Sequence, residues 1–282
     1  MNSLNKKLLK ISTGIGFCLA SSFLLTANEA KANTCDNLAP LSASCYITPA
    51  TYKITVYEMG LCTSDPLAGT SLDSSDNIST DNTIDESTCT ATFQAASSGV
   101  QVNLGGNATA SLTGTDIRPP AGTYPHAYIK IKNTFGLKGS YNHAGTTYYS
   151  KASGAKDTNS SANVEWDEDL MDFNNGATCS SDSADVDLAG SETFTSGVTG
   201  TMKVLLAQVN GSGTYVADSS CGSSTRLFGS FAPTSPVVIT DTTQGLQVTF
   251  TITNRGMTII PDGSGGVQGF AGGPFSPAFA TY

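Results

Sequence analysis

Apolar and polar residues alternate with a period of two along most of this chain, and helical periodicity is nearly absent. The clearest stretch runs from Asp116 to Phe135, DIRPPAGTYPHAYIKIKNTF. Pro119 and Pro120 fix φ and cannot donate hydrogen bonds, so they stop whatever precedes them. Gly122 supplies the backbone freedom of a tight turn. Beyond it, Ala127, Ile129 and Ile131 face one way, and Tyr124, His126, Tyr128, Lys130 and Lys132 the other. One apolar face and one wet face predict a strand of an antiparallel sheet. Thr51 to Leu61 (TYKITVYEMGL) predicts another, with Tyr52, Ile54, Val56 and Glu58 on one face and Lys53, Thr55, Tyr57 and Met59 on the other.

The same pattern predicts a strand at Thr90–Gln94. It also predicts a hairpin of Val100–Leu104 with Ala108–Leu112 around Gly105-Gly106-Asn107. From Gly136 to about Gly190 it weakens. Tyr141, Tyr148 and Tyr149 suggest a hairpin at Gly145, and Trp166–Phe173 (WDEDLMDF) is the one place where a helical turn is expected. Strands resume at Glu192–Phe194, Thr201–Val209, Gly213–Ala217, Arg226–Phe231, Val237–Thr240, Leu246–Asn254 and Met257–Ile260. Turn residues recur roughly every 8–12 positions, the spacing of a sandwich or barrel. The expectation is an all-β fold, an antiparallel β-sandwich with long polar loops over residues 33–260. It is either one sandwich with an insertion around 140–190 or two halves split there. Residues 261–282 read as a separate tail, rich in Gly and Pro, with Phe270, Phe275, Phe279 and Tyr282 spaced along it.

Residues 1–32 have the three parts of a secretory signal peptide. Lys6, Lys7 and Lys10 form a positive start, Ile11 to Ala27 an apolar middle, and Ala30-Lys31-Ala32 a small-x-small cleavage site. The apolar run is shorter than the roughly 20 residues a spanning helix needs, so removal before Asn33 is expected rather than retention as an anchor. Removal would leave 10 basic and 22 acidic residues, moving the net charge from −9 to −12. Such a balance argues against nucleic acid and against anionic lipid, both of which demand Lys and Arg clusters.

Cys18 would leave with the leader. Cys35, Cys45, Cys62, Cys89, Cys179 and Cys221 would remain, an even number behind an export signal, which predicts disulfides. Pairing of neighbours gives Cys35–Cys45, Cys62–Cys89 and Cys179–Cys221. No CxxC spacing points to a metal or redox site.

Candidate chemistry is sparse. There are two histidines, His126 and His143, and no GxSxG, HExxH or glycine-rich phosphate loop. The sharpest local pattern is DTNSSANVEWDE. Asp157, Asn159, Ser161, Asn163, Glu165 and Glu168 stand at positions 1, 3, 5, 7, 9 and 12 of that stretch, with Val164 at position 8. Hard cations need such clustered oxygens, so a Ca²⁺ site is the sharper reading. Ala162 stands where the sharp-turn Gly belongs, and a solvated acidic loop is the alternative. Asp182, Asp185 and Asp187 form a weaker candidate. Tyr124, Tyr128, Tyr148 and Tyr149 offer an aromatic platform, or cross-strand pairs of a half-exposed sheet. A hydrolase would need a carboxylate pair, and Asp167, Glu168, Asp169 and Asp172 stand close together in sequence.

TYKITVYEMGLCTS, a second Cys with a TF segment, and PPAGTYPHAYIKIKNTFGLKG resemble a group of uncharacterised exported proteins of environmental Gram-negative bacteria. The P-x-G-x-Y turn (Pro120, Gly122, Tyr124) entering a strand is similar to a feature of immunoglobulin-like and prealbumin-like sandwich modules of surface proteins. The resemblance covers about residues 51–140 and implies a sandwich and an extracytoplasmic home, with no active site carried over. The function expected is that of an exported, non-enzymatic structural or adhesive protein of the cell surface, a filament subunit in its specific form. In that form the chain self-assembles: the tail from Gly263 to Tyr282 adds as a strand to a neighbouring subunit's open sheet edge. A secreted carbohydrate- or Ca²⁺-binding module and a secreted hydrolase are the alternatives. An outer-membrane barrel fits poorly with six cysteines and long polar loops.

Overall fold

The structure is a computed structural model, and it describes residues 10–11, 34–35, 40–70, 83–107, 110–170, 189–194, 199–209, 215–217 and 224–282. Its regular structure is all β, in several antiparallel sheets, with short 3₁₀ turns. The largest sheet is built on β1 (Thr51–Cys62). Around it stand β2 (Cys89–Gln94), β3 (Val100–Asn103), β4 (His126–Ile131), β5 (Thr134–Lys138), β6 (Trp166–Asp169), β7 (Ala189–Phe194), β8 (Gly200–Val209) and β9 (Arg226–Pro233). The strand order is β6-β5-β1-β4-β9-β8-β7, and β2 and β3 pair along the other edge of β1.

The length of β1 organises this sheet. Its first half pairs with β5 and β3, and its second half with β4 and β2. Asn133 lies between β4 and β5, and its side-chain amide donates to Leu170 O at 3.2 Å. Where a helical turn was expected over Trp166–Phe173, Trp166–Asp169 is a strand: Trp166 pairs with Leu137 and its ring is buried in the core, while residues 171–173 lie outside the described residues. An isolated helical turn has few hydrogen bonds to offer, whereas β5 presents a whole unpaired edge.

The smaller sheets share the core of the large one. Cys45–Ile47, Met257–Pro261 and Val267–Gly272 form one sheet, and Leu246–Thr251 pairs with Ser276–Thr281. Phe231 of β9 meets Phe279 at 6.0 Å between ring centroids, and Phe250 meets Phe275 edge-on at 5.1 Å. Tyr52 donates its hydroxyl to Gly273 O at 3.0 Å. Residues 261–282 thus do not stand apart as a tail. Val267–Gly272 and Ser276–Thr281 are strands of this chain's own sheets, and Phe270 and Phe275 are core residues. Their few bulky side chains suffice because the partners that bury them come from the rest of the chain.

Two hairpin expectations diverge. Ser140–His143 and Thr146–Ser150 form the hairpin expected at Gly145. Ala144 (φ 48°) and Gly145 (φ 82°) are both left-handed, as a type I′ turn requires. Among the described residues, the hairpin expected around Gly105–Asn107 does not form. Those residues make a 3₁₀ turn, Val100–Asn103 pairs with β1, and Ala110–Ser111 pairs with Lys10–Ile11.

Candidate functional site

The faces of β1 do not alternate as its sequence suggests. Against β4, Val56 stands opposite Ile131, Glu58 opposite Lys130 and Met59 opposite Ile129, with a register shift between Val56 and Glu58. One extra residue, Tyr57, bulges there, and everything after it changes sides. Met59 and Leu61 join Val56, Ile129 and Ile131 on the apolar side. Glu58, Gly60 and Cys62 come to share a face with Lys130, Tyr128 and His126. The register continues that face across β9 and β8, adding Phe228 and Ser230, then Leu205 and Lys203.

This second face was expected to be wet, and it is not. Tyr128 is 4% exposed and Lys130 6%. The cause is the segment that follows Cys62, which folds back over the sheet. Pro66 and Leu67 are buried, and Leu67 is wholly so. The Cys62–Cys89 disulfide joins directly opposed residues of β1 and β2 at the base of this loop. Cys35–Cys45 also forms. Closing these loops stabilises the fold by on the order of 3 kcal/mol each. Cys179 and Cys221 lie outside the described residues, as do Asp172, Asp182, Asp185 and Asp187.

The loop is held at both ends by ion pairs. At its start, Asp65 Oδ2 accepts from Lys203 Nζ at 2.7 Å, and Oδ1 accepts from Ser230 Oγ at 2.8 Å and from the Leu67 amide at 2.9 Å. At its end, Glu86 Oε1 lies 2.5 Å from Lys130 Nζ. The same ammonium donates to Glu58 Oε1 at 2.8 Å, and that oxygen also accepts from Tyr128 Oη at 2.8 Å. Gln94 donates to Glu58 Oε2 at 3.0 Å. Gly60 makes room for this arrangement: a Cβ there would lie 2.3 Å from the Tyr128 ring.

Electrostatics follow from these partners. Burial pushes the Glu58 carboxyl up, but hydrogen bonding and charge from Lys130, with the Tyr128 and Gln94 hydrogen bonds, outweigh it and hold it below its ordinary value. Asp65 is likewise held down, burial being outweighed by Lys203, the Leu67 amide and Ser230. Burial would lower the Lys130 ammonium, yet Glu58 and Glu86 raise it. Burial first, then the Glu58 charge, push the Tyr128 phenol up. His126 is lowered by burial and by the Lys203 charge, with Asp65 opposing, and its Nδ1 is buried without a hydrogen bond.

These groups close a structure rather than open a reaction path. Lys130 is held protonated between two carboxylates, so it offers neither a nucleophile nor a base. The Ser230 hydroxyl is donated to Asp65 and is 3% exposed. His143 is buried too, its Nε2 2.9 Å from Gly265 O and its ring stacked on Tyr141.

The candidate Ca²⁺ loop is divided among separate partners. Asp157 accepts from the Asn159 amide and pairs with Lys151 at 3.4 Å. Asn159 accepts from the amide and hydroxyl of Ser161. Asn163 accepts from Ser150 Oγ, Glu165 pairs with Lys53 at 2.5 Å, and Glu168 Oε2 accepts from the Gly272 amide at 2.6 Å. The stretch runs between short strands, not into a helix that would carry the last ligand back to the first. Among the described residues, no three His, Cys, Asp or Glu side chains group closely enough to hold a metal ion.

The four tyrosines form no common platform. Tyr124 is buried and donates to Pro120 O at 2.9 Å, while Tyr128 lies under the loop stacked on Phe228. Tyr148 and Tyr149 are half-buried on the separate hairpin. Of the carboxylates, Asp167 and Asp169 are exposed and Glu168 is raised by burial, with the Gly272 amide opposing.

No family model matches the chain, and neither does any curated protein or solved structure. Among the described residues, no helix is long and apolar enough to cross a membrane.

Proposed function

We propose that this chain is an exported, non-enzymatic structural or adhesive protein of the cell surface, working as a disulfide-locked β-sandwich after loss of residues 1–32. The observation that carries this reading is the use made of the polar and charged groups on the second face of the sheet. Lys130, Glu58, Glu86, Lys203, Asp65 and Ser230 all serve to hold one disulfide-closed loop against the sheet. A protein that uses these charges to close a loop is built to persist, as a surface component exposed to changing conditions must. Two formed disulfides accord with an oxidising compartment. The shared core of the large sheet and the C-terminal strands, with Phe231 on Phe279, accords with an immunoglobulin-like or prealbumin-like sandwich.

The test is fractionation of the producing cell with intact-mass measurement of the recovered chain. The expected product begins at Asn33, carries its disulfides and is cleaved by external protease on whole cells. A reduced, unprocessed chain confined to the cytoplasm would overturn the reading.

A further inference from the structure

We propose that Asn159 is an acceptor for N-linked glycosylation, receiving an oligosaccharide from a polyprenyl diphosphate donor outside the cytoplasm. The inference rests on the reading of this chain as an exported protein.

Four asparagines stand in the Asn-x-Ser/Thr pattern that such transfer requires: Asn77, Asn107, Asn159 and Asn210. Asn77, Asn210 and the side chain of Asn107 lie outside the described residues. Asn159 also differs from the other three in sequence. Two positions ahead of it stands Asp157, where they have Ser75, Gly105 and Gln208. A carboxylate there gives a transferring enzyme an anionic group to hold beside the reacting amide.

The fold presents Asn159 as an enzyme would need to find it. Thr158, Asn159, Ser160 and Ser161 are all exposed, on the turn that joins Lys156–Asp157 to β6. The turn is closed by its own bonds. Asp157 accepts from the Asn159 amide, the Ala162 amide donates to Asn159 O at 3.0 Å, and the Asn163 amide donates to Ser160 O at 3.2 Å. Among the described residues, no hydrogen bond of residues 158–162 reaches beyond residues 157–163. The turn can therefore enter an enzyme's cleft without breaking a sheet ladder.

The local chemistry favours transfer. A carboxamide nitrogen is a poor nucleophile, because its lone pair is shared with the carbonyl. Here Asn159 Oδ1 accepts from both the Ser161 amide at 3.0 Å and the Ser161 hydroxyl at 2.8 Å. A backbone N–H can only donate, so the oxygen faces Ser161, and Nδ2 has no hydrogen-bond partner among the described residues. When Nδ2 gives up a proton, negative charge moves onto Oδ1, where the two donors stabilise it. Nδ2 then bonds to the anomeric carbon of the sugar. The bond from that carbon to the diphosphate oxygen breaks, and the polyprenyl diphosphate leaves with the electron pair. The proton goes to a carboxylate of the transferring enzyme.

Intact mass and fragmentation of the chain recovered from the cell that naturally makes it test this. The processed chain should exceed the mass of disulfide-bonded residues 33–282 by a whole number of sugar residues, and the fragments should place them on Asn159. Asn159→Gln should lose the added mass. So should Ser161→Ala, which keeps the asparagine and removes one donor to its oxygen. Ser161→Thr and Asn107→Gln should retain it, and all four variants should keep the parent's near-ultraviolet circular dichroism. A processed chain at the bare polypeptide mass overturns the inference. So does an added mass that survives Asn159→Gln or Ser161→Ala. These results leave the export reading standing, since that is judged by processing and location. An unprocessed, reduced chain confined to the cytoplasm removes both.

Discussion

The two faces of the sheet around β1 and β4 are held by different physics. On one side, Val56, Met59, Leu61, Ile129, Ile131 and Phe231 are buried in the common apolar core, and no partner is individually required. Burial there stabilises in proportion to area, about 25 cal/mol per Å² of apolar surface, without directional demands. On the other side, Lys130 and Ser230 are buried and Glu58 and Lys203 half-buried, each with a partner at hydrogen-bond distance. The apolar face tolerates change in small steps. The polar face is all-or-nothing, since removing one member strands a charge.

The sharpest way to break the comparison is Lys130→Met. It leaves Glu58 and Glu86 without their shared cation and also frees the end of the loop. A loss of about 3–5 kcal/mol in urea unfolding is expected. Ile129→Val on the opposite face should cost only about 1 kcal/mol. Equal losses would mean that the ion pairs contribute no more than packing does. Gly60→Ala comes next, at about 2 kcal/mol, because the added methyl meets the Tyr128 ring. A double-mutant cycle with Tyr128→Ala should show most of that cost gone. Additive losses would place the strain elsewhere, at the Thr90 carbonyl, which also lies 2.5 Å from the added methyl.

The apolar face was legible in the sequence, and the polar one was not. Tyr52, Ile54 and Val56, or Val248 and Phe250, announce themselves by alternation alone. So did the Cys62–Cys89 disulfide, because Cys62 ends one strand and Cys89 begins the next. The slip at Tyr57 leaves no mark in the hydrophobic pattern, so Glu58 was placed with Val56 and Met59 with Lys53. Lys130 and Tyr128 read as solvent-facing because their covers, Asp65 to Leu67 and Glu86, lie in a segment whose composition says only that it is polar. One signal was available. Closing Cys62 on Cys89 brings both ends of that acidic segment to the end of β1, within reach of lysines on the same face. The segment from Pro261 onward was misread for a related reason: composition reports how many apolar side chains a stretch has, not which surface awaits them.

Acid should separate the faces further. Glu58 and Asp65 have carboxyls held below their ordinary values. The stability they contribute is present above the unfolded-state value, about 4, and is lost as pH falls through the lower folded value. Urea midpoints measured downward from pH 6 should therefore drop below about pH 4. Asp65→Asn should cost about 1 kcal/mol at pH 7 and almost nothing at the acid end, where the parent has lost the same charge. Asp157 is also held low, by the Asn159 amide first, but it lies on the surface and serves as a control: Asp157→Asn should leave the acid limb in place. An acid limb unchanged by Asp65→Asn would remove Asp65 from the account.

The smallest effect has the opposite sign. Glu168 is the carboxyl that burial raises, with only the Gly272 amide to oppose it. For an acid whose folded value is raised, the unfolded chain loses its proton first. Stability therefore declines as pH climbs from the ordinary glutamate value through the folded one, and the protein carries that deficit at neutrality. Glu168→Gln keeps an oxygen for the Gly272 amide and removes the charge. Its melting temperature should exceed the parent's at pH 7 and match it at pH 4. A variant less stable than the parent at pH 7 would mean that the ionised carboxylate is needed where it stands. A cation or a second chain meeting β6 would then be the first explanation to test, since Asp167 and Asp169 flank Glu168 on that edge.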